Sequence, residues 1–238
     1  MTSNKLKIIA CISMACDHIG YLLFPNIIIL RYLGRLALPI FAFFIAEGCF
    51  YTRSKFKYFI RMIILAVVCQ LFYIGESLIN GGISSIYLNI LFTFSLSIMV
   101  CSAYLRLINA IKLGDKKKLA FNSALFIIAV CFAVFCCTSL TKVFGIDITF
   151  DYGIVGVLLP LSALIFNDKK LKLICFSVGV LIYCIVYSFT LNYVWFSLLS
   201  ILLIAFYNGK RGSKKLKWVF YLFYPLHFAL IYGIEIFL

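Results

Sequence analysis

Residues 119–140 read LAFNSALFIIAVCFAVFCCTSL, directly after the basic run Lys116-Lys117-Lys118. This stretch contains no charged side chain, and a helix needs about 20 mainly apolar residues to cross the hydrocarbon core of a bilayer. Similar stretches recur along the whole chain. The sequence therefore predicts an all-α fold, a polytopic transmembrane helical bundle with about nine spanning helices: Ile8–Phe24, Leu36–Tyr51, Tyr58–Leu78, Ile86–Leu107, Leu119–Leu140, Tyr152–Phe166, Leu171–Phe189, Leu191–Tyr207 and Trp218–Leu238.

The composition is typical of this class of protein. Hydrophobic residues make up 65% of the 238 residues and the mean hydropathy is +1.11, whereas soluble domains have roughly 45–50% apolar residues. The gaps between the apolar stretches are too short to fold by themselves, so residues 1–238 are predicted to form one integral-membrane domain. The ten cysteines lie within apolar stretches, and none accompanies histidine at metal-ligand spacing, so we predict no metal site.

The net charge of +14 comes from basic residues in the gaps between the apolar stretches. When the gaps are assigned to alternate sides, 19 of the 22 basic residues fall on one side and only Arg31, Arg35 and Lys142 on the other. The positive-inside rule then predicts a multi-pass protein of the cell membrane with a cytoplasmic N-terminus and an external C-terminus. Basic residues in such positions contact lipid head groups, so the lipid bilayer is a predicted partner and nucleic acid is not.

Ionisable residues inside apolar stretches are costly in lipid and often mark function. The two histidines of the chain, His18 and His227, both lie in such stretches, and Asp17 precedes His18. Arg31 and Arg35 lie in the first external gap, where basic residues are otherwise almost absent. These arginines either anchor a helix end at the membrane interface or belong to a site with Asp17 and His18.

Asp17 and His18 are both candidate catalytic residues. Adjacent residues on a helix do not face one another, so they are not a dyad by themselves. Histidine exchanges a proton near neutral pH, which suits His18 as the general base for an amine or hydroxyl acceptor. The alternative is a structural histidine bonded to a neighbouring helix. Glu47 is expected to pair with Arg61 or with a polar part of a substrate.

Tyr221, Tyr224 and His227 recur at a spacing of three in the last apolar stretch, and Pro225 interrupts them. Proline bends a helix and frees a carbonyl group, and such a kink often lines a cavity in a membrane protein. We expect Tyr224 to contact substrate. His227 either positions the substrate or replaces His18 as the base, with a structural role as the alternative.

Asn208-Gly209-Lys210-Arg211-Gly212 forms a predicted cytoplasmic turn. Backbone N–H groups and positive charges in a glycine-containing turn can hold phosphate groups, which makes Lys210, Arg211 and Gly212 candidates for binding a phosphorylated cofactor. The alternative is an ordinary positive-inside anchor.

Seven blocks of the chain carry a recognisable pattern: residues 17–21 (DHIGY), 31–43 (RYLGRLALPIFAF), 45–48 (IAEG), 89–93 (NILFT), 151–153 (DYG), 210–212 (KRG) and 221–227 (YLFYPLH). Together they resemble the TraX family, which is named for the F-pilin N-acetylase. The resemblance extends from about Lys5 to His227 and therefore covers nearly the whole chain.

The resemblance implies an integral-membrane acyltransferase that takes an acetyl group from cytoplasmic acetyl-CoA and passes it to an amine or hydroxyl near the outer membrane face. Carried over by position, His18 is the base, Arg31 and Arg35 are acceptor-side polar groups, and the Lys210–Gly212 turn contacts the CoA phosphates. The resemblance does not identify the acceptor, which could be a peptide N-terminus or a surface glycan.

Because no cysteine stands beside either histidine in sequence, a direct attack on the thioester is favoured over an acyl-cysteine intermediate. The main alternative function is a small-molecule transporter or flippase whose path is lined by the buried charges. A catalytically silent membrane scaffold is a further alternative.

Overall fold

The computed structural model describes residues 1–79, 85–139, 147–190, 192–210, 212–213 and 216–235. Helices account for most of these residues, which confirms the all-α prediction in outline. The α-helices are α1 (Ser3–Leu22), α2 (Ile28–Gly34), α3 (Ala37–Tyr51), α4 (Lys55–Ile79), α5 (Ile90–Leu113), α6 (Lys116–Thr138), α7 (Gly153–Ser162), α8 (Lys169–Tyr187), α9 (Leu199–Ala205) and α10 (Leu216–Glu235). A short 3-10 helix, Val194–Leu198, directly precedes α9.

Five helical segments of the described chain are long and apolar enough to cross a membrane. They are Ile28–Tyr51 (α2 and α3 together), Lys55–Gly75, Ile90–Leu113, Lys116–Thr138 and Lys169–Tyr187. Each of the nine predicted stretches contains a helix, but three of these helices are shorter: Gly153–Ser162, Val194–Ala205 and Val219–Ile234. The structure therefore supports a helical membrane protein, while the count of nine spans and the orientation of the termini stay predictions.

Side-chain caps explain where several helices begin. The Asn89 side chain accepts a hydrogen bond from the Leu91 N–H at 3.1 Å and so begins α5. Asp115 and Asp168 do the same for α6 and α8. Gly114 ends α5 in the left-handed conformation with φ of 66°, which glycine adopts without strain.

One pair of strands was not predicted. β1 (Ser85–Leu88) and β2 (Asp147–Phe150) pair in parallel, with Ser85 opposite Asp147. The fourth predicted span began at Ile86, which is wrong at that end, because Ile86 belongs to β1 and the helix begins only after Asn89. Apolar stretches give no helical boundary by themselves, and here the cap supplies it.

The chain forms two compact units, Met1–Phe44 with Phe166–Leu238, and Ile45–Ile165. In the first unit α1 packs against α2 and α10, and α8 packs against α9 and the 3-10 helix. Aromatic rings fill part of its core: the ring centroid of Phe43 lies 5.4 Å from that of Phe176 and 5.9 Å from that of Tyr207. The first unit carries both histidines.

In the second unit α5 packs against α4, α6 and α7. Small residues on α6, Ala129 and Ala133, lie against Val100 and Ala103 of α5 in a continuous apolar core. A buried amide pair joins α4 to the start of α5, because Asn89 Nδ2 donates to the Gln70 Oε1 at 3.0 Å. Such amide contacts hold helices together in apolar surroundings.

Candidate functional site

The site in the first unit begins with a close crossing of α1 and α2. A Cβ atom added at Gly20 would lie 2.7 Å from the Leu30 Cβ, and one added at Gly34 would overlap the Asp17 carboxylate. Small residues at a helix crossing let the backbones approach. The crossing therefore brings the arginines of the Arg31–Arg35 segment onto Asp17.

Asp17 pairs with both arginines. The Arg31 Nη1 atom lies 3.0 Å from Asp17 Oδ1 and also donates to the Asp17 carbonyl oxygen at 3.1 Å. Arg35 Nη2 pairs with the same carboxylate oxygen, and its side chain is only 3% exposed. In the ion pairs that the structure describes, two guanidinium groups share this one carboxylate, so the three side chains together carry one net positive charge. The shared Asp17 carboxylate is half-buried, with 16% of its side chain exposed.

Tyr193 joins this cluster and was missed in the sequence. Its hydroxyl accepts a hydrogen bond from Arg31 Nη2 at 3.1 Å, and its ring centroid lies 5.4 Å from the Arg31 Cζ and 5.2 Å from the Arg35 Cζ. An aromatic face attracts a guanidinium group. The sequence offered only a weak signal, the polar residue Asn192 near the start of the predicted span Leu191–Tyr207, and this does not single out Tyr193.

The two histidines meet although they lie at opposite ends of the chain. His18 Nδ1 is 2.9 Å from His227 Nε2, and the two rings stack with centroids 5.0 Å apart. The pair connects α1 to α10. His18 is half-buried and His227 is buried.

Hydrogen bonding fixes the tautomers of the pair. His227 Nδ1 lies 3.0 Å from the carbonyl oxygen of Phe223. A carbonyl oxygen only accepts, so His227 Nδ1 carries the proton and its neutral Nε2 is an acceptor. His18 Nδ1 must then donate to it. A neutral His18 consequently has its lone pair on Nε2, which makes no hydrogen bond with the described residues.

Aromatic side chains enclose the pair. The Phe228 ring centroid lies 4.5 Å from that of His18, and the Tyr224 ring meets His227 edge-on at 5.3 Å. Tyr224, predicted to contact substrate, is buried beside His227. Helix α10 continues through Pro225 to Glu235, so the proline lies inside the helix rather than at its end.

Glu47 was predicted to pair with Arg61 or with a polar part of a substrate. Glu47 is buried in α3 and belongs to the second unit. Its pairing with Arg61 stays a prediction. Among the described residues, no group of three or more His, Cys, Asp or Glu side chains is arranged to hold a metal ion.

The predicted phosphate-binding turn is docked on the start of α1. The Ser3 N–H donates to the Lys210 carbonyl oxygen at 2.9 Å. Gly212 has a φ of 79° and packs closely on α1, because a Cβ added there would lie 3.0 Å from Asn4 Nδ2. The Lys210 N–H already donates to Asn208 Oδ1 at 3.0 Å. It is therefore engaged within the turn, and Arg211 lies outside the described residues.

Two of the sequence blocks that resemble the TraX family, residues 89–93 and 151–153, contact each other in the second unit. Thr93 Oγ1 donates to the Asp151 carbonyl oxygen at 2.7 Å, and the Tyr87 hydroxyl donates to the Asp151 carboxylate. Burial, and then the nearby carboxylate, raise the pKa of Tyr87 well above its ordinary value. The Tyr87–Asp151 hydrogen bond connects β1 to the loop before α7.

Chemically, the first unit combines two different functions on neighbouring residues of α1. His18 presents an imidazole nitrogen that can accept a proton, and Asp17 gathers two cations. A base next to an excess of positive charge can deprotonate a nucleophile and stabilise a developing negative charge.

The chain is similar to known proteins over nearly its whole length. A family model described as TraX protein matches residues 2–235. The chain is 30% identical over 256 aligned positions to a probable fimbrial assembly protein FimC, serogroup H1, of Dichelobacter nodosus, covering 98% of this chain and 96% of that protein. It is 36% identical to an uncharacterized protein of Rickettsia prowazekii (strain Madrid E) over 85 residues, which cover 36% of this chain and 34% of that one. No solved structure matches it.

Proposed function

Because the chain belongs to the TraX family, we propose that it is an integral-membrane acetyltransferase that moves an acetyl group from acetyl-CoA to an amine or hydroxyl near the outer membrane face. The observation that carries this proposal is the His18–His227 pair. Its hydrogen bonds leave the Nε2 atom of a neutral His18 as a proton acceptor in partly buried surroundings.

The proposed reaction is a direct transfer. His18 Nε2 takes the proton from the acceptor N–H or O–H, and the freed electron pair forms a bond to the thioester carbonyl carbon. The carbonyl oxygen becomes negatively charged. When the C–S bond breaks, the acetyl group stays on the acceptor, and the CoA thiolate leaves with the proton from the His18 imidazolium.

In this proposal the ion-paired cluster of Asp17, Arg31 and Arg35 stabilises the negative charge that develops when the acceptor attacks the thioester. Asp17 holds Arg31 and Arg35 in place and leaves them with an excess of positive charge. Positive groups held in advance stabilise a developing oxyanion without reorganising. In the proposal Arg31 and Arg35, held by Asp17 one residue before the base, contact the acceptor and stabilise the negative charge that develops on the thioester carbonyl oxygen. Tyr224 contacts the substrate.

The acceptor supplies an amine or a hydroxyl group, and it is either a peptide N-terminus or a surface glycan. A relative that matches almost the whole chain carries the name of a probable fimbrial assembly protein. This favours a pilin-type peptide as the first acceptor to test. An α-amino group is a suitable nucleophile once its proton has been removed.

The donor binds from the cytoplasmic side in this proposal, because most basic residues lie in the gaps that the positive-inside rule assigns to the cytoplasm. No acyl-cysteine is invoked, since the described contacts of His18 are with His227 and the Phe228 ring. Cys16, two residues before His18, is the nearest cysteine in sequence.

Acetyl transfer can be tested with the purified protein in nanodiscs. Acetyl-CoA labelled in the acetyl group is added together with a cell-envelope extract as the source of acceptor, and label bound covalently to envelope material is measured. The proposal expects incorporation by the native protein and by Cys16→Ala. Incorporation that disappears in Cys16→Ala would favour an acyl-cysteine route. In sealed vesicles, uptake of a small molecule with no covalent labelling would favour a transporter or flippase and overturn the proposal.

A further inference from the structure

A basic pocket lies in the second unit, where the turn between α3 and α4 meets the second half of α5. It has a volume of about 480 Å³, within the range of roughly 300–1,000 Å³ that small-molecule sites occupy. Its polar lining residues are Arg53, Ser54, Lys55, Ser102, Arg106 and Asn109. No acidic side chain is among the described residues that line it.

The pocket has three cations. Within the described ranges, the side chains of Arg53, Lys55 and Arg106 make no ion pair and no hydrogen bond. Like charges gathered around one cavity repel each other. An anion bound between them removes this cost, and planar guanidinium groups suit phosphate oxygens in particular.

Uncharged donors extend the same surface. The Ser102 hydroxyl is buried and has no hydrogen-bond partner in the part of the chain that the structure describes, which is costly unless a ligand supplies one. Ser54 Oγ accepts the Lys57 N–H at 3.3 Å and caps the 25-residue helix α4. The positive end of this helix dipole therefore lies beside the pocket.

We propose that this pocket binds the phosphate groups of the acyl-CoA donor. The assignment of the donor rests on the proposed function, whereas the phosphate chemistry rests on the lining residues. Phe56, also in the lining and 71% exposed, offers an aromatic face on which the adenine base can stack. The topology predicted from the sequence puts Arg53, Lys55 and Arg106 on the cytoplasmic side, where the donor is found.

This pocket is a better phosphate site than the Lys210–Gly212 turn. The Lys210 N–H is already engaged with Asn208, and Gly212 packs on Asn4. A phosphate site needs free donors, and the pocket offers cations and a hydroxyl that are not bonded to other described residues.

The test compares two charge-matched double variants of the whole protein in nanodiscs of phosphatidylcholine. Arg53→Gln with Arg106→Gln removes two cations from the pocket. Lys57→Gln with Lys112→Gln removes two exposed cations of α4 and α5 that lie outside its lining. Calorimetric affinity for CoA is expected to fall about 10-fold or more in the pocket variant and to change less than about 2-fold in the control. Pantetheine, which lacks the phosphates, should bind both alike.

Three results would overturn the proposal and are distinguishable. Native CoA affinity and a native response to phosphatidylglycerol in the pocket variant would exclude the pocket as the phosphate site while leaving the proposed acetyltransferase intact. Absence of CoA binding in all forms, with pyrophosphate binding lost only in the pocket variant, would remove the CoA assignment and the proposed function together. Unchanged CoA affinity, with stabilisation by phosphatidylglycerol lost in the pocket variant, would assign the pocket to lipid head groups. If the double variant does not fold, Arg106→Gln alone, at an exposed position, serves in its place.

Discussion

His18 Nδ1 and His227 Nε2 lie 2.9 Å apart, although 209 residues separate them in the chain. Helix α10 supplies an acceptor, held in one tautomer by the Phe223 carbonyl oxygen, and helix α1 supplies the residue that it orients. The two ends of the chain therefore build one site. This relationship assigns different roles to the two histidines, since only His18 keeps a nitrogen without a hydrogen bond to the described residues.

We expect His227→Ala to slow acetyl transfer by about 10-fold to 100-fold rather than to abolish it, because His18 remains but loses the partner that fixes its tautomer. Initial rates of label transfer, with thermal unfolding as a check of folding, measure the effect. An unchanged rate would make the hydrogen bond irrelevant to catalysis. A complete loss in a folded variant would favour His227 as the base.

Tyr193→Phe removes a hydrogen bond to Arg31 and keeps the ring below both guanidinium groups. A hydrogen bond to a charged group contributes about 1.5–3 kcal/mol, so we expect kcat/KM for the acceptor to fall about 10-fold to 150-fold. Tyr193→Leu also removes the ring and should have a larger effect. The hypothesis that Tyr193 organises the site would be wrong if both variants kept native kinetics.

Asp17→Asn leaves two guanidinium groups without their shared carboxylate. Removing one partner of a buried ion pair costs up to about 3–5 kcal/mol, and we expect a clear fall in the temperature of unfolding in detergent. Asp115→Asn is the matched control, because Asp115 pairs with an exposed lysine and asparagine caps a helix equally well. Equal stability of the two variants would contradict the importance of the Asp17 cluster.

Much of the site could be predicted from the sequence because ionisable residues are rare inside its apolar stretches. Asp17, His18, Arg31 and Arg35 stand out against apolar neighbours, and the structure brings three of them into one ion-paired cluster. His227 stands out for the same reason, although only the fold shows that it meets His18. The resemblance to the TraX family is also confirmed by the family match.

Other features leave no such signal. Tyr193 does not stand out in the sequence, because the chain is rich in aromatic residues. Its contact with two arginines depends on where the fold places α2. The strands β1 and β2 have four residues each and pair across 62 positions of chain in register Ser85 to Asp147, a non-local contact that periodicity cannot detect. Hydropathy also fails to separate spanning helices from shorter ones such as Gly153–Ser162, because both are apolar.

Gly34→Ala tests the close crossing of α1 and α2. A Cβ at Gly34 would overlap the Asp17 carboxylate, so α2 must shift and the arginines move away from their partner. We expect transfer to fall at least about 10-fold, since small displacements at a site are costly. Gly233→Ala in α10 is the control, because nothing lies within 4 Å of an added Cβ there. A fully active Gly34→Ala protein would show that the crossing need not be tight.

The most direct measurement is the release of free CoA thiol from acetyl-CoA by the native protein and by His18→Ala, in identical nanodiscs with the same envelope acceptor. We expect steady release by the native protein and a fall of about 10²-fold to 10⁴-fold in His18→Ala, with the variant still binding CoA. Native rates in a folded His18→Ala protein would contradict the assignment of His18 as the base.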